Sequence, residues 1–117
     1  MKEGKGLGGI ELDRIVHERA RLMILTHLSS SEAAETGFTE LKTALGLSAG
    51  NLSVQLRTLE EAKYVEIAKR YKDKKPWTGV VLTMEGRKAI ESWLRDLEVI
   101  VASLRGRDGN PPEGGKE

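Results

Sequence analysis

Three side chains follow one another at intervals of three residues near the middle of the chain. Asn51 has a carboxamide, Val54 an apolar tip and Arg57 a guanidinium group. In the major groove of DNA a carboxamide can pair with adenine, a guanidinium can donate two hydrogen bonds to guanine, and an apolar side chain can contact the methyl group of thymine. A solvated polar helix face would have the same residue types, so these three residues alone do not decide between the two interpretations.

Residue types for catalysis or metal binding are scarce. The chain has no cysteine, which excludes thiolate nucleophiles, disulfides and thiolate metal sites. His17 and His27 are ten positions apart on one predicted helix, whereas two imidazoles that share a metal would lie one turn apart. No nucleophilic serine motif, phosphate-binding glycine loop or pair of catalytic carboxylates is evident. The sequence therefore predicts a protein that is not an enzyme and that has no metal and no cofactor.

The spacing of apolar residues predicts three helices in the first half of the chain. The first runs from Ile10 to Leu28, with apolar residues at helical intervals. A polar connection at 31–37 follows. A short second helix is expected to be capped by Thr39 and to end at Gly46, a residue type that readily adopts the left-handed conformation. Ser48 is then placed to cap a third helix.

The third helix is predicted to be amphipathic. Leu52, Leu56 and Leu59 share one face, because a helix turns by about 100° per residue. With these leucines directed inward, the polar side chains face outward and to the flanks. The candidates for base contacts are Ser48, Gly50, Asn51, Ser53, Val54 and Arg57. Thr39 and Thr58 are candidates for contacts with the sugar-phosphate backbone.

After Lys63 the pattern changes to alternation, which predicts a β-hairpin with its tip at 72–75. Cations are concentrated in this hairpin although the net charge of the chain is only +1. The residues predicted to contact the DNA backbone here are Lys69, Arg70, Lys72, Lys74 and Lys75. Neutralising phosphates is the physical use of such a cluster, and a cation at a hairpin tip can enter the minor groove. The alternative is that lysines protect an exposed strand edge from aggregation, for which two or three would suffice.

A long last helix, capped by Thr83, is predicted to run to about Leu104. It has more apolar surface than one domain needs to bury, which favours a two-fold dimer. The predicted interface residues are Ile10, Leu12, Ile15, Trp93, Leu94, Leu97, Ile100, Val101 and Leu104. Packing across a two-fold axis would space two recognition helices about one DNA turn apart, roughly 34–36 Å. The alternative is that this helix only covers the sheet and the first helix of its own chain.

Length and composition indicate one folded domain. The chain has 117 residues, of which 38% are hydrophobic and 32% charged. We expect the domain to span 10–105, with a flexible N-terminal tail at 1–9 and a disordered C-terminal tail at 106–117, both rich in glycine. Neither a membrane span nor a signal peptide is recognisable, so a cytoplasmic location is expected.

The predicted order of elements is three helices, two strands and a helix. This fold is mainly α with a small β-hairpin, and it corresponds to a winged helix-turn-helix in which the helix-turn-helix lies between about Thr39 and Ala62. In this arrangement the third helix enters the major groove and the hairpin forms the wing.

Several motifs, in their order, resemble those of winged-helix transcriptional regulators related to the MarR and ArsR families. They are Leu45-Gly46-Leu47-Ser48, Gly50-Asn51-Leu52-Ser53 and Leu82-Thr83 with Gly86-Arg87. The resemblance spans about Leu12 to Leu104 and implies DNA-binding homodimers that are often repressors. Two positions depart from it: Gln55 stands where similar sequences commonly have histidine, and Ala62 where a glycine often closes the recognition helix.

Taken together, these features predict sequence-specific binding of double-stranded DNA by a homodimeric transcriptional regulator, with repression as the expected effect. The alternative is a winged-helix module that binds protein and has no sequence-specific DNA binding. The sequence leaves open whether a small-molecule effector also binds.

Overall fold

The computed structural model describes residues 7–106. Most of the two predicted tails, at 1–9 and 106–117, lies outside the described residues. The helices are α1 (Arg19–Ser30), α2 (Phe38–Leu45), α3 (Ala49–Glu61) and α4 (Met84–Arg105), and a 3-10 turn forms at Leu7–Gly9. The strands are β1 (Thr36–Gly37), β2 (Val65–Lys72) and β3 (Lys75–Leu82). This order confirms the winged helix-turn-helix and adds one short strand to it.

The first helix begins nine residues later than predicted, at Arg19 instead of Ile10. The carboxylate of Asp13 accepts hydrogen bonds through Oδ1 from the backbone N–H groups of Ile15 (2.8 Å) and Val16 (3.1 Å). Such local side-chain bonds offer the backbone an alternative to helical pairing. The apolar spacing before Arg19 therefore belongs to a turn that inserts Val16 into the core.

Capping residues define the helix-turn-helix. Gly37, and not Thr39, is the N-cap of α2, so Thr39 lies in the first helical turn. Gly46 ends α2 with a φ of 66°, the left-handed conformation predicted for it. The Ser48 hydroxyl accepts from the N–H of Asn51 at 3.0 Å, which confirms Ser48 as the cap of α3.

The core lies where the first three helices meet one face of the sheet. Leu52, Leu56 and Leu59 are buried, as the helical spacing predicts. Burial of each such leucine contributes about 1.5–3 kcal/mol, so these three contacts hold α3 with its polar face outward. They pack with Val16, Ile24, Leu25, Leu28, Leu41, Val65 and Val80.

The sheet has three antiparallel strands in the order β1, β3, β2. β1 was not predicted, because the sequence at 31–37 indicates a polar connection. This strand is only two residues long and pairs Thr36 with Val80 and Gly37 with Gly79. A segment this short has no alternation to recognise, and it is a strand only because β3 offers it an unpaired edge.

The β2–β3 hairpin turns where predicted. Asp73 and Lys74 occupy the two central positions of the turn and both have positive φ, 52° and 66°. Two such residues form the two-residue turn whose twist matches that of paired strands. After β3, Thr83 caps α4 by accepting from the N–H of Gly86 at 2.9 Å. None of the helices within residues 7–106 is apolar enough over sufficient length to span a membrane.

Candidate nucleic-acid interface

Most of the polar face of α3 is exposed to solvent. Gly50, Asn51, Ser53 and Arg57 are exposed, and Val54 keeps 57% of its surface accessible. Apart from its chain neighbours and the backbone of α3 itself, no heavy atom lies within 4 Å of the position a Cβ would take at Gly50. The side chains predicted for base contacts, together with Ser48 at the start of the helix, therefore lie side by side on one open surface.

The two threonines predicted to contact the sugar-phosphate backbone flank this surface differently. Thr39 is exposed in the first turn of α2. Thr58 is half-buried, and its hydroxyl donates to the backbone oxygen of Val54 at 3.3 Å. The Thr58 hydroxyl hydrogen is therefore already bonded within α3, whereas the Thr39 side chain is exposed to solvent.

A hydrogen-bonded chain connects α1 to this surface. Arg21 Nη1 donates to Gln55 Oε1 at 2.8 Å, and Gln55 Nε2 donates to Asn51 Oδ1 at 3.0 Å. Asn51 therefore has one fixed partner within the protein. Sequence reasoning did not find Arg21, because nothing in the local pattern places α1 next to a residue 34 positions away.

The register of the hairpin assigns the wing cations to opposite faces. Lys69 is paired with Thr78, and Arg70 with Trp77. Paired residues project to the same side of a sheet and neighbours along a strand to opposite sides. Lys69 therefore shares the face of Val65, which points to the core, whereas Arg70 projects away from it. The predicted cation cluster is thus two groups and not one.

One face of the wing and α3 line a common cleft. Its walls include Ser53 and Arg57 from α3 and Lys69 and Thr78 from the hairpin. Lys69 is thereby placed near two of the predicted base-contacting residues, in a cleft that Glu60 also lines. Tyr71, two residues further along the same face, is 74% exposed near the tip of the wing. The alternation that begins at Val65 is enough to predict this placement of Tyr71.

The other face of the wing is occupied by an intramolecular cluster. Arg70 Nη2 forms an ion pair with Glu35 Oε2 at 3.0 Å. The Arg70 guanidinium and the Lys72 ammonium lie 5.7 Å and 3.9 Å from the centre of the Trp77 ring, within the range of cation–π attraction. Arg70 is thus already partly neutralised by a carboxylate, while Lys74 and Lys75 are exposed in and next to the turn.

Some of the residues predicted to form a dimer interface lie against their own chain, and the others lie on the last part of α4. Ile15 and Trp93 pack against the core of their own chain, and Trp93 Nε1 donates to His17 Nδ1 at 2.9 Å. Ile10 and Leu12 are half-buried. The other five lie beyond Trp93, where α4 has no buried residue: Leu94, Leu97, Ile100, Val101 and Leu104.

A partly buried hydrogen bond fixes the base of the wing. Tyr64, directly before β2, donates its hydroxyl hydrogen to Asp13 Oδ2 at 2.6 Å. Burial first, and then the hydrogen bond and the negative charge of Asp13, raise the pKa of Tyr64 to about 12. In residues 7–106 there is no group of three histidine, aspartate or glutamate side chains that could hold a metal ion.

The sequence profile of a family described as a winged helix DNA-binding domain matches residues 20–101. A search of the curated proteins found no match. Among solved structures, a transcriptional regulator homologue from Pyrococcus horikoshii is 27% identical and superposes with a TM-score of 0.72 over 79% of this chain and 89% of its own.

Two further structures share the fold at 18% identity. The MepR–DNA complex from Staphylococcus aureus has a TM-score of 0.64, covering 82% of this chain and 77% of MepR. BpsR from Bordetella bronchiseptica, whose DNA binding is regulated by 6-hydroxynicotinic acid, has a TM-score of 0.62, covering 92% of this chain and 79% of BpsR.

Proposed function

The chain belongs to the winged helix DNA-binding domain family, and from this premise we propose that it is a homodimeric, sequence-specific regulator that places α3 in the major groove of duplex DNA. Proteins of this family regulate transcription by binding DNA and are not enzymes, so binding is the activity that the surface has to explain. The resemblance to winged-helix transcriptional regulators is confirmed by the family profile and by the fold shared with the transcriptional regulator homologue from Pyrococcus horikoshii.

The observation that carries the proposal is the cleft shared by α3 and the wing. Arg57 and Ser53 on one wall face Lys69 and Thr78 on the other. A helix in the major groove has phosphates on both sides, and a cation next to the helix is placed to neutralise one of them. Neither a solvated helix face nor protection of a strand edge would require these two elements to present their polar residues together.

We expect most of the contacts to DNA bases and most of the contacts to the DNA backbone to come from different elements. The base-contacting set is Ser48, Gly50, Asn51, Ser53, Val54 and Arg57, all on the open side of α3 or at its start. The backbone set is Thr39, Thr58, Lys69, Arg70, Lys72, Lys74 and Lys75. Arg70 contributes least of the predicted wing cations, because Glu35 already pairs with it.

The proposed dimer interface is the part of α4 that lies beyond Trp93. Leu94 and Leu104 keep 47% and 81% of their surface accessible, and Leu94, Leu97 and Val101 line an open groove of about 500 Å³. Apolar side chains grouped in this way gain free energy when a second copy covers them. A two-fold axis through this helix would present two copies of α3 to successive major grooves.

The expected effect on transcription is repression, for which the support is the resemblance to regulators that are often repressors. A cytoplasmic location is proposed on the same basis, because a regulator of this family acts where the DNA is.

Selection of bound sequences from a random duplex pool at two salt concentrations tests the function. We expect a palindromic motif, together with a dimer in sedimentation analysis, and an affinity that falls as salt rises. If the purified protein shows no salt-dependent binding to any duplex, the winged helix is a protein-binding module and the proposal is wrong.

Arg57→Ala tests the assigned orientation of α3. Loss of a two-pronged contact to guanine should cost about 1–3 kcal/mol and relax the preference at one base position. Arg95→Ala, which removes the same exposed residue type from α4, is the matched control and should leave that position unchanged. An Arg57→Ala protein with unaltered affinity and preference would show that another face of α3 meets the DNA.

A further inference from the structure

The hydrogen-bonded chain from Arg21 to Asn51 has a direction. Arg21 Nη1 donates to Gln55 Oε1 at 2.8 Å, and Gln55 Nε2 donates to Asn51 Oδ1 at 3.0 Å. A guanidinium has only donors, whereas a carboxamide has an oxygen that accepts and a nitrogen that donates. Gln55 must therefore turn its oxygen toward Arg21, which turns its nitrogen toward Asn51. Asn51 must in turn present its oxygen to Gln55.

Arg21 itself is held in place. Its Nε donates to the backbone oxygen of Ile15 at 2.7 Å, and its Nη1 lies 3.9 Å from Glu18 Oε1. Only 17% of its side-chain surface is accessible. Because the guanidinium is planar and rigid, these contacts fix the direction in which it donates to Gln55. The N–H of Asn51 is bonded to Ser48 Oγ at 3.0 Å, so the backbone of Asn51 is fixed as well.

We propose that Arg21 and Gln55 are specificity-determining positioning residues, which fix the Asn51 carboxamide so that it offers N–H donors to the major groove. With Oδ1 turned toward Gln55, Nδ2 lies on the opposite side of the planar amide and keeps its hydrogens for DNA. Guanine presents two acceptors, N7 and O6, in the major groove, whereas adenine presents one acceptor and one donor. Of the two purines, Asn51 therefore reads guanine, and not the adenine expected from the residue type alone.

This inference rests on the proposed function, since it requires α3 to lie in the major groove. The relay also depends on the residue type at position 55. A glutamine can pass on the polarity set by Arg21 because it has a donor and an acceptor on one planar group. The polarity of Asn51 is thus determined from α1, outside the helix-turn-helix.

Gln55→Glu is the sharpest test, because a carboxylate at position 55 can only accept. It would still accept from Arg21, but Asn51 would have to turn its Nδ2 toward it and leave Oδ1 facing the DNA. Sequence selection with this variant should then replace guanine in one column of each half-site by a base with an exposed donor, adenine or cytosine. The preference for guanine over adenine in that column should fall by about tenfold or more.

The added negative charge of Gln55→Glu should weaken binding to all sequences. A uniform loss of affinity does not change which base is preferred in one column, so the two effects can be separated. Arg21→Gln is a second variant, in which the residue at position 21 is uncharged and can either donate to or accept from Gln55. The Gln55 and Asn51 amides can then adopt both orientations, so the same column should lose its preference without acquiring a new one. Arg19→Gln removes the same charge from an exposed position of α1 and should leave the column as in the unaltered protein.

The outcomes separate the two proposals. A guanine column that changes with Gln55→Glu and relaxes with Arg21→Gln supports the relay. An unaltered protein that selects a motif in which no column responds to either variant overturns the relay and leaves the proposed function intact. A column that responds equally to Arg19→Gln also overturns it, since charge alone would then explain the effect. Absence of any salt-dependent duplex binding overturns both.

Discussion

The hydroxyl of Tyr64 donates to the carboxylate of Asp13 at 2.6 Å, although the two residues are 51 positions apart. The same carboxylate accepts from the backbone of Ile15 and Val16. One aspartate therefore both shapes the turn before α1 and ties that turn to the start of the wing.

Stability should depend on the ionisation of Tyr64 at high pH. Its pKa is about 12 in the folded protein, against about 10 for an unfolded tyrosine. Below about pH 10 both states are protonated and the stabilisation is complete. Between about pH 10 and 12 the unfolded state loses the proton first, so the free energy of unfolding should fall as pH rises.

Denaturant unfolding at several pH values across this range measures the effect, with Tyr64→Phe as the variant that removes it. Tyr71→Phe, at the exposed tip of the wing, is the control and leaves Tyr64 as the only phenol for a spectroscopic titration. Parallel pH profiles for the unaltered protein and Tyr64→Phe would show that the phenol titrates alike in both states.

Gly86→Ala should destabilise the fold, although alanine is normally the better helix residue. A Cβ at position 86 would overlap the backbone oxygen of Tyr64 and lie 2.8 Å from Leu82 Cδ1. Forced overlap of this kind typically costs about 1–3 kcal/mol. Gly50→Ala is the matched change at a helical glycine with open space around it, and it should stabilise by roughly 0.5–1 kcal/mol. Thermal unfolding compares the two; equal effects would mean that α4 can shift away from Tyr64.

Lys69 and Arg70, on opposite faces of the wing, should differ in their contribution to DNA binding. Lys69→Gln removes a cation from the cleft beside Arg57, so it should weaken binding to all sequences and reduce the salt slope by about 1. Arg70→Gln removes a cation that Glu35 already pairs with at 3.0 Å and should change the slope far less. Fluorescence anisotropy over a series of salt concentrations distinguishes them. Equal losses would show that the ion pair with Glu35 does not keep Arg70 from binding DNA.

The part of α4 beyond Trp93 should determine whether the protein forms a dimer. Leu97 and Val101 line its apolar groove and neither is fully buried in the chain, so Leu97→Glu combined with Val101→Glu should give a folded monomer. Val99 is 42% exposed and points away from the groove, because a helix turns by about 100° per residue. Val99→Glu is therefore the matched control and should remain dimeric in sedimentation velocity. Dimers of both proteins would exclude this face as the interface.

Part of the candidate site could be predicted because it is local. Leu52, Leu56 and Leu59 share one face through helical geometry alone, and that determines which residues of α3 point outward. Gly46 and Ser48 bound the turn for equally local reasons, a left-handed backbone and a capping hydroxyl. Local apolar spacing misled only where a side chain competed with the helix, as Asp13 does before α1.

Alternation along β2 was visible in the sequence, but it does not show which cations face α3. That assignment depends on which side of the hairpin packs against the core. Lys69 and Arg70 are neighbours in the chain and equal in charge, and only the burial of Val65 and Val80 shows which of them faces α3. The pairing of Arg70 with Glu35 joins residues 35 positions apart, and it depends on the chain before β1 lying beside the hairpin.

The sequence by itself determined the order of helices and hairpin, the family, and the outward face of α3, because periodicity and caps act between residues a few positions apart. The tertiary structure alone decided that Thr36 and Gly37 form a strand, that the wing has two different faces, and that Arg21 orients Gln55 and Asn51. Those relationships join residues distant in the chain, and they exist only once burial of the core has fixed how the elements pack.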